Sequence, residues 1–255
     1  MNNLYVEQLK VSFDGFQALD IDIFEVQENE LRVVIGPNGA GKTTLLDVLC
    51  GKTRPDSGHA VFGPMELTRL SEDEIVAAGV GRKFQTPSVF ATLTVFDNLM
   101  LAMRADRGVF SSLFHRLSSG ERQRIEAVAE RTGLQDLLTE TAGTLSHGQK
   151  QWLEIAMVVL LEPKLFLVDE PAAGMSDDET YKTGELLLGL AADHSLIVIE
   201  HDMEFVRQIA RKVTVLHEGK ILMEGSMEEV QSDPRVIECY LGTEIEREDV
   251  DTAAS

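Results

Sequence analysis

Short apolar runs alternate with amphipathic stretches along much of this chain. Nearly unbroken apolar residues predict buried strands at 31–35, 165–170 and 195–201, the last two ending in polar groups. Apolar residues recur at helical spacing in 44–50 and 178–192, which predicts a helix after each of the first two strands. This alternation favours an α/β fold with a largely parallel sheet, and ligands of such sheets bind beyond the carboxyl ends of the strands.

The N-terminal part alternates apolar and polar residues instead. Residues 4–12 and 18–26 alternate around a turn at Asp14-Gly15, which predicts an antiparallel β subdomain beside the core, with a further short strand at 59–62. The sequence Ser71-Glu72-Asp73-Glu74 predicts a capping box that opens a short helix.

The middle of the chain is predicted to be a helical insert. Glycine and proline in residues 81–87 indicate a loop or hinge, and helical periodicity then extends to about residue 160. The predicted organisation is one domain, 1–242, with a core of 1–85 and 161–242 around a helical subdomain at 86–160. Its helical segments are predicted at 94–104, 118–131, 134–138 and 146–160.

The C-terminal part combines short helices with a hairpin. A helix is predicted at 203–210, and strands at 213–216 and 220–223 are predicted to turn at Glu218-Gly219. Ser226 and Asp233 each precede a predicted short helix. The acidic tail, 243–255, is predicted to be disordered.

Composition narrows the classes of function. Hydrophobic residues make up 44% of the 255 residues and the net charge is −20, so we expect a globular protein that does not bind nucleic acid or an anionic membrane directly. No apolar run approaches the roughly 18 residues that span a bilayer, and the N-terminus lacks the features of a signal peptide. Cys50 and Cys239 stand far apart, and we interpret them as reduced thiols of a cytosolic chain.

The strongest chemical signal follows the strand at 31–35. Residues 36–43 fit the phosphate-binding pattern G-x-x-x-x-G-K-[ST], in which backbone N–H groups surround phosphate oxygens at a helix N-terminus. We expect Lys42 to reach the β- and γ-phosphates and the Thr43 hydroxyl to bind Mg²⁺. The predicted nucleotide-binding residues here are Gly36, Pro37, Asn38, Gly39, Ala40, Gly41, Lys42, Thr43 and Thr44.

Polar side chains also follow the other two buried strands. Asp169 and Glu170 end the strand at 165–170, where the first would hold Mg²⁺ and the second would polarise an attacking water. A solvated turn is the alternative for these carboxylates. His201 follows Glu200 at the end of the next strand and is predicted to contact the γ-phosphate, although a purely structural histidine fits the same pattern.

From residue 4 to residue 242 the sequence resembles the ATP-binding subunits of ABC transporters. Leu145-Ser146-His147-Gly148-Gln149 resembles the family's LSGGQ signature, and its Ser146 precedes Asp169 by 23 residues. Leu117-Ser118-Ser119-Gly120-Glu121 is a second candidate, which we interpret instead as a capped surface helix. The resemblance implies a P-loop NTPase core, similar to RecA, that binds ATP and Mg²⁺.

The resemblance also implies roles for single residues. Gln85 matches the family's Mg²⁺ ligand and coupling hinge, Glu170 its catalytic base and His201 its switch histidine. Phe13 matches the aromatic residue that stacks on adenine, although core packing fits Phe13 and its neighbour Phe16 equally well. Since the family closes as a dimer around two ATP molecules, the following residues would contact the nucleotide of the other subunit: Ser146, Gly148 and Gln149.

Two positions depart from the family pattern. His147 replaces a glycine within the signature, which could add a hydrogen-bond donor or change the local geometry. Ser176 stands where the family commonly has Asp or Asn, a position that the family uses for communication between the two ATP sites.

Within the family, the chain resembles the ATPases of branched-chain amino acid importers and, more closely, those of urea importers. The second resemblance rests on residues 81–90, 145–154 and 200–207. It implies an ATP-hydrolysing subunit that sits at the cytoplasmic face of the inner membrane through transmembrane permease subunits, docked near residues 86–96. We expect urea as the solute and a different ATPase as partner. Branched-chain amino acids, a homodimer in isolation, and a soluble ABC ATPase or regulator without a permease are the alternatives.

Overall fold

The computed structural model describes residues 4–83, 89–104 and 118–240. A six-stranded sheet lies at its centre in the order β10-β9-β3-β8-β7-β6, with β10 antiparallel to β9 and the other neighbours parallel. A four-stranded antiparallel sheet, β2-β1-β4-β5, lies beside it. The strands are β1 (Leu4–Phe13), β2 (Phe16–Val26), β3 (Leu31–Ile35), β4 (Ser57–Phe62), β5 (Met65–Glu66), β6 (Val80–Lys83), β7 (Leu165–Asp169), β8 (Ser195–Ile199), β9 (Lys212–His217) and β10 (Lys220–Gly225).

Helices cover the central sheet, and most begin where the sequence predicts. Helices begin after Ser71, Ser146 and Ser226, as predicted, and each of these serines caps its helix in a capping box. The predicted segment at 134–138 forms a single 3-10 turn, Gln135–Leu137. The helices of the described residues are α1 (Lys42–Leu49), α2 (Glu72–Ala77), α3 (Val95–Arg104), α4 (Ser119–Arg131), α5 (His147–Val159), α6 (Asp177–Leu190), α7 (Met203–Ile209) and α8 (Met227–Ser232), with 234–240 also helical.

Four strands of the central sheet, β3, β7, β8 and β9, contribute side chains to two apolar cores. Phe166 and Val168 of β7 face a core that α3 to α7 complete, whereas Leu165 and Leu167 face a core shared with α1 and the antiparallel sheet. All five residues of this strand are buried. Because both faces are covered, the strand reads as an unbroken apolar run in the sequence. The expected α/β class is confirmed.

One strand stands where the sequence predicted a loop. Residues 80–83 form β6, the strand at one edge of the central sheet, and pair in parallel with β7. Gly81 is needed here because a Cβ at this position would lie 2.7 Å from Cγ1 of Val158. Arg82 and Lys83 remain in the strand because acidic side chains surround them, as described below. The prediction of a loop at 81–87 is therefore wrong for its first three residues.

Several predictions concern residues outside the described part of the chain. Gln85 belongs to this group, as does the acidic tail at 243–255. In the described ranges, no helix is long and apolar enough to cross a membrane. The division into a core and a helical subdomain stays a prediction.

Candidate functional site

The predicted phosphate-binding loop connects β3 to α1 at the carboxyl end of the central sheet. Gly41 ends this loop with a φ of 99°, a left-handed conformation that glycine adopts without strain. A Cβ on Gly36 would lie 2.1 Å from the carbonyl oxygen of Leu216. The loop therefore reaches its curvature only with glycine at these positions, and it leads directly into the N-terminus of α1.

Lys42 begins α1 and folds back over the loop. Its Nζ donates hydrogen bonds to the carbonyl oxygens of Gly36 at 2.6 Å and Pro37 at 3.0 Å. Burial lowers the pKa of Lys42, while the carboxylates of Glu170 and Asp169 act in the opposite direction. The side chain thus places a cation beside the loop and facing both carboxylates, which suits binding of a polyphosphate.

Asp169 and Glu170 occupy different environments at the end of β7. Asp169 is buried, and its Oδ2 lies 3.4 Å from a guanidinium nitrogen of Arg82. Burial raises the pKa of Asp169, and Arg82 opposes this effect. Glu170 has a φ of 44°, and its backbone N–H donates to the carbonyl oxygen of Ile199 at 3.0 Å. Such a conformation is strained for a residue other than glycine and is typical of functional sites.

His201 approaches Glu170 from the neighbouring strand. Its Nδ1 lies 3.5 Å from Oε1 of Glu170, and the His201 side chain is 60% exposed. The two residues follow β7 and β8, which are adjacent in the sheet. The structure therefore brings together the predicted base and the predicted switch histidine, although their roles stay predictions.

A cavity of 320 Å³ lies between this loop and the turn that joins β1 to β2. Phe13, Phe16 and Glu170 are among the residues that line it. The two rings are 49% and 67% exposed, so the alternative of core packing is wrong for both. Its other lining residues are Ala18, Asn38, Gly39, Ala40, Gly41, Lys42, Thr43 and Thr44. An aromatic group at one end and a phosphate-binding loop at the other suit a nucleotide.

The residues present fit a magnesium ion. Thr43 exposes its side chain at the first turn of α1, and Asp169 supplies a carboxylate from the end of β7. No cluster of three or more His, Cys, Asp or Glu residues suited to a metal occurs in the described ranges. Mg²⁺ commonly takes only one or two protein ligands, completing its shell with water and phosphate oxygens.

The signature residues lie apart from the cavity. Ser146 caps α5 and Gly148 lies in its first turn, where a Cβ would approach the carboxylate of Glu179 to 2.6 Å. Of the described residues that line the cavity, none belongs to the signature. The second candidate motif begins α4, with Ser118 capping and Glu121 closing a capping box, so its interpretation as a capped helix is confirmed.

Sequence reasoning missed a group of buried charges behind the site. Arg82 donates to Asp47 of α1 at 2.5 Å as well as approaching Asp169. Lys83 is fully buried, 4.0 Å from Glu154 of α5. The only sign of this group in the sequence was the pair of charged residues, Arg82 and Lys83. From the pattern of apolar and polar residues alone, both would be predicted to be exposed to solvent.

Comparison with known proteins identifies the family. Residues 19–173 match the family model described as ABC transporter. This chain belongs to the ABC transporter family. Residues 220–246 match a second model, branched-chain amino acid ATP-binding cassette transporter. The subunit binds ATP with Mg²⁺ and hydrolyses it, as an ABC ATPase does, and its fold is that of a P-loop NTPase.

The relatives of this ABC ATPase match over nearly their full length. The high-affinity branched-chain amino acid transport ATP-binding protein LivG of Salmonella typhimurium is 36% identical, over 94% of this chain and 97% of its own. The corresponding protein BraF of Pseudomonas aeruginosa is 34% identical over the same shares. A crystal structure of the ADP conformation of an ABC-transporter cassette has a TM-score of 0.84 and 30% identity, covering 95% of this chain and 99% of that one.

These relatives correct the expected substrate class. They are branched-chain amino acid transport proteins, and they give no support to urea. The alternative stated from the sequence fits better.

Proposed function

We propose that this chain is the ATP-hydrolysing subunit of an importer for branched-chain amino acids. The match of residues 220–246 to the branched-chain amino acid cassette model carries the proposal. Both LivG and BraF, which match almost end to end, support the same solute. The ATPase does not itself bind the solute, so the assignment rests on the likeness between these chains.

The geometry supports a separate role for each residue of the site. Phe13 stacks on the base at the open end of the cavity, and Lys42 turns from the loop carbonyls to the β- and γ-phosphates. Thr43 and Asp169 hold Mg²⁺, which screens the phosphate charge when bound. Glu170 takes a proton from the attacking water. His201 lies near enough to orient that carboxylate and to contact the γ-phosphate.

The distance between the signature and the cavity supports a dimeric mechanism. Ser146, Gly148 and Gln149 surround the exposed N-terminus of α5, which suits a phosphate carried by another subunit. The second subunit is a different ATPase of the same importer, with a homodimer of this chain in isolation as the alternative. Both subunits attach to permease subunits at the cytoplasmic face of the membrane, with Gln85 as the coupling hinge.

Hydrolysis by the purified chain and by Glu170→Gln tests the site. We expect the wild-type protein to turn over ATP and the variant to retain ATP as a dimer, because the variant keeps the shape of the site without its base. Equal hydrolysis by both proteins would contradict the role of Glu170.

The solute requires a separate test. The chain, purified with the permease and ATPase subunits that associate with it, should drive ATP-dependent uptake of labelled leucine into vesicles. Uptake of urea but not leucine would overturn the proposed solute while leaving the ATPase mechanism in place.

A further inference from the structure

The hydroxyl of the signature serine is already engaged within its own chain. Ser146 Oγ donates to Oε1 of Glu179 at 2.8 Å and accepts from the N–H of Gln149 at 3.1 Å. A serine hydroxyl has one proton. While that proton faces Glu179, Ser146 cannot donate it to any other acceptor.

Glu179 is held in place by the start of its own helix. Its second oxygen, Oε2, accepts from the N–H of Ser176 at 3.2 Å and from the Ser176 hydroxyl at 3.1 Å. The hydrogen bond from Ser146 lowers the pKa of Glu179, with the Ser176 contacts adding to the effect, so the carboxylate is charged at neutral pH. Ser176, one of the two departures from the family pattern, therefore orients Glu179.

The other departure joins the same two segments. Nε2 of His147 lies 3.1 Å from the carbonyl oxygen of Ala173 and 3.4 Å from Nε2 of Gln151. Together with the bond between Ser146 and Glu179, this contact forms what we call the signature clasp: Ser146 and His147 on one side, Ala173 and Glu179 on the other. It ties the N-terminus of α5 to the segment after β7 and to the first turn of α6.

This arrangement conflicts with the role proposed for Ser146. In the proposed dimer, the γ-phosphate of the other subunit needs the same hydroxyl proton and approaches the same helix N-terminus. Phosphate and carboxylate are both anions, and like charges a few ångströms apart repel each other. We propose that Glu179 is a positioning residue that holds the Ser146 hydroxyl in the separated subunit and opposes closure on the partner's ATP.

Closure then requires the hydroxyl to turn from the carboxylate to the phosphate. Replacing Glu179 with glutamine keeps an acceptor of the same shape and removes the charge. The Glu179→Gln variant should therefore dimerise with ATP at about tenfold lower concentration, which corresponds to roughly 1.4 kcal/mol. Because the side chains lie at the surface, the difference in dimerisation between the Glu179→Gln variant and its parent should become smaller at high salt.

The inference rests on the proposed function, so its test starts from the Glu170→Gln protein. The dissociation constant of the ATP-bound dimer is measured by analytical ultracentrifugation with and without Glu179→Gln, at about 0.05 and 0.5 M salt. If Glu170→Gln alone stays monomeric, the ATPase that purifies with the chain is added. Glu229→Gln is the matched control, since Glu229 closes an identical capping box with Ser226 away from the signature.

Each outcome has one meaning. Tighter, salt-dependent dimerisation with Glu179→Gln but not with Glu229→Gln supports the proposal. Dimerisation that is unchanged or weaker with Glu179→Gln overturns it and leaves the proposed function intact. If ATP dimerises the Glu170→Gln protein neither alone nor with the second ATPase, the dimeric mechanism fails and the role of Glu179 fails with it.

Discussion

A buried ion pair behind Asp169 and Glu170 tests how this site is assembled. Lys83 ends β6 with no exposed side-chain surface, and its Nζ lies 4.0 Å from Oε2 of Glu154. Burial lowers the pKa of Lys83, while Glu154 foremost, and then Asp169 and Glu200, counteract the shift. One cation therefore faces carboxylates from α5, β7 and β8.

The distance sets the size of the expected effect. Two unit charges 4 Å apart interact by about 4 kcal/mol at an effective dielectric constant of 20. Removing one partner of a buried pair typically costs about 3–5 kcal/mol, whereas replacing both with apolar residues is often neutral. We expect Lys83→Met to lower the free energy of unfolding by about 3–5 kcal/mol, and Lys83→Met with Glu154→Leu to cost less than the single change.

The double-mutant cycle of Lys83 and Glu154 is measured by urea unfolding followed by tryptophan fluorescence, because Trp152 is the only tryptophan in the chain. Arg122 and Glu126 provide the control, as an exposed pair at 2.8 Å on α4. The matched changes there, Arg122→Met and Glu126→Leu, should couple by less than about 0.5 kcal/mol. A coupling energy below about 1 kcal/mol for Lys83 and Glu154 would refute the reasoning.

Three further tests, which use four substitutions, concern other parts of the structure. Burial raises the pKa of Glu200, so its contribution to stability is present below the unfolded-state pKa and is lost as pH rises. In urea titrations, wild type should lose stability relative to Glu200→Gln as pH rises above the unfolded-state pKa of this carboxyl, and a constant difference would contradict this. Gly15→Ala should lower the free energy of unfolding by about 1–2 kcal/mol, because of the left-handed φ at this position alone. Gly58→Ala should lower the free energy of unfolding by about 1–3 kcal/mol more than Gly15→Ala, because the Cβ at residue 58 would lie 2.2 Å from a backbone oxygen. Equal melting temperatures for the two variants would be inconsistent with that contact. Thr183→Val should lower the free energy of unfolding by about 1–3 kcal/mol, because it removes the acceptor 2.8 Å from the Trp152 indole nitrogen. The fluorescence emission maximum of Trp152 should shift as well. An unchanged spectrum and an unchanged stability would argue against that hydrogen bond.

Local signals predicted the elements whose cause is local. The capping boxes at Ser71, Ser146 and Ser226 depend on residues three positions apart, so the sequence alone locates those helix starts. The buried strands at 165–169 and 195–199 are equally visible, since both of their faces are covered and no polar residue interrupts them.

Long-range contacts decided what the sequence could not predict. Strand β6 contains Gly-Arg-Lys and lacks an apolar pattern, and its charges are tolerated only because Asp47, Asp169 and Glu154 come from distant segments. Phe13 and Phe16 flank a turn, where alternation does not tell which rings face the core. Their exposure emerged only from the paired register of β1 and β2.

Arg32 gives this architecture a further property. It lies fully buried in β3 and donates to Thr214 at 2.9 Å and to Glu224, both on the outer hairpin of the central sheet. It also donates to the backbone oxygen of Glu25 at 2.8 Å and stacks over Phe24, both on the antiparallel sheet. One guanidinium thus locks the two sheets against sliding. The spacing between the turn that carries Phe13 and Phe16 and the loop between β3 and α1 is consequently set during folding. This reduces the entropy that is lost when the site is ordered around a nucleotide.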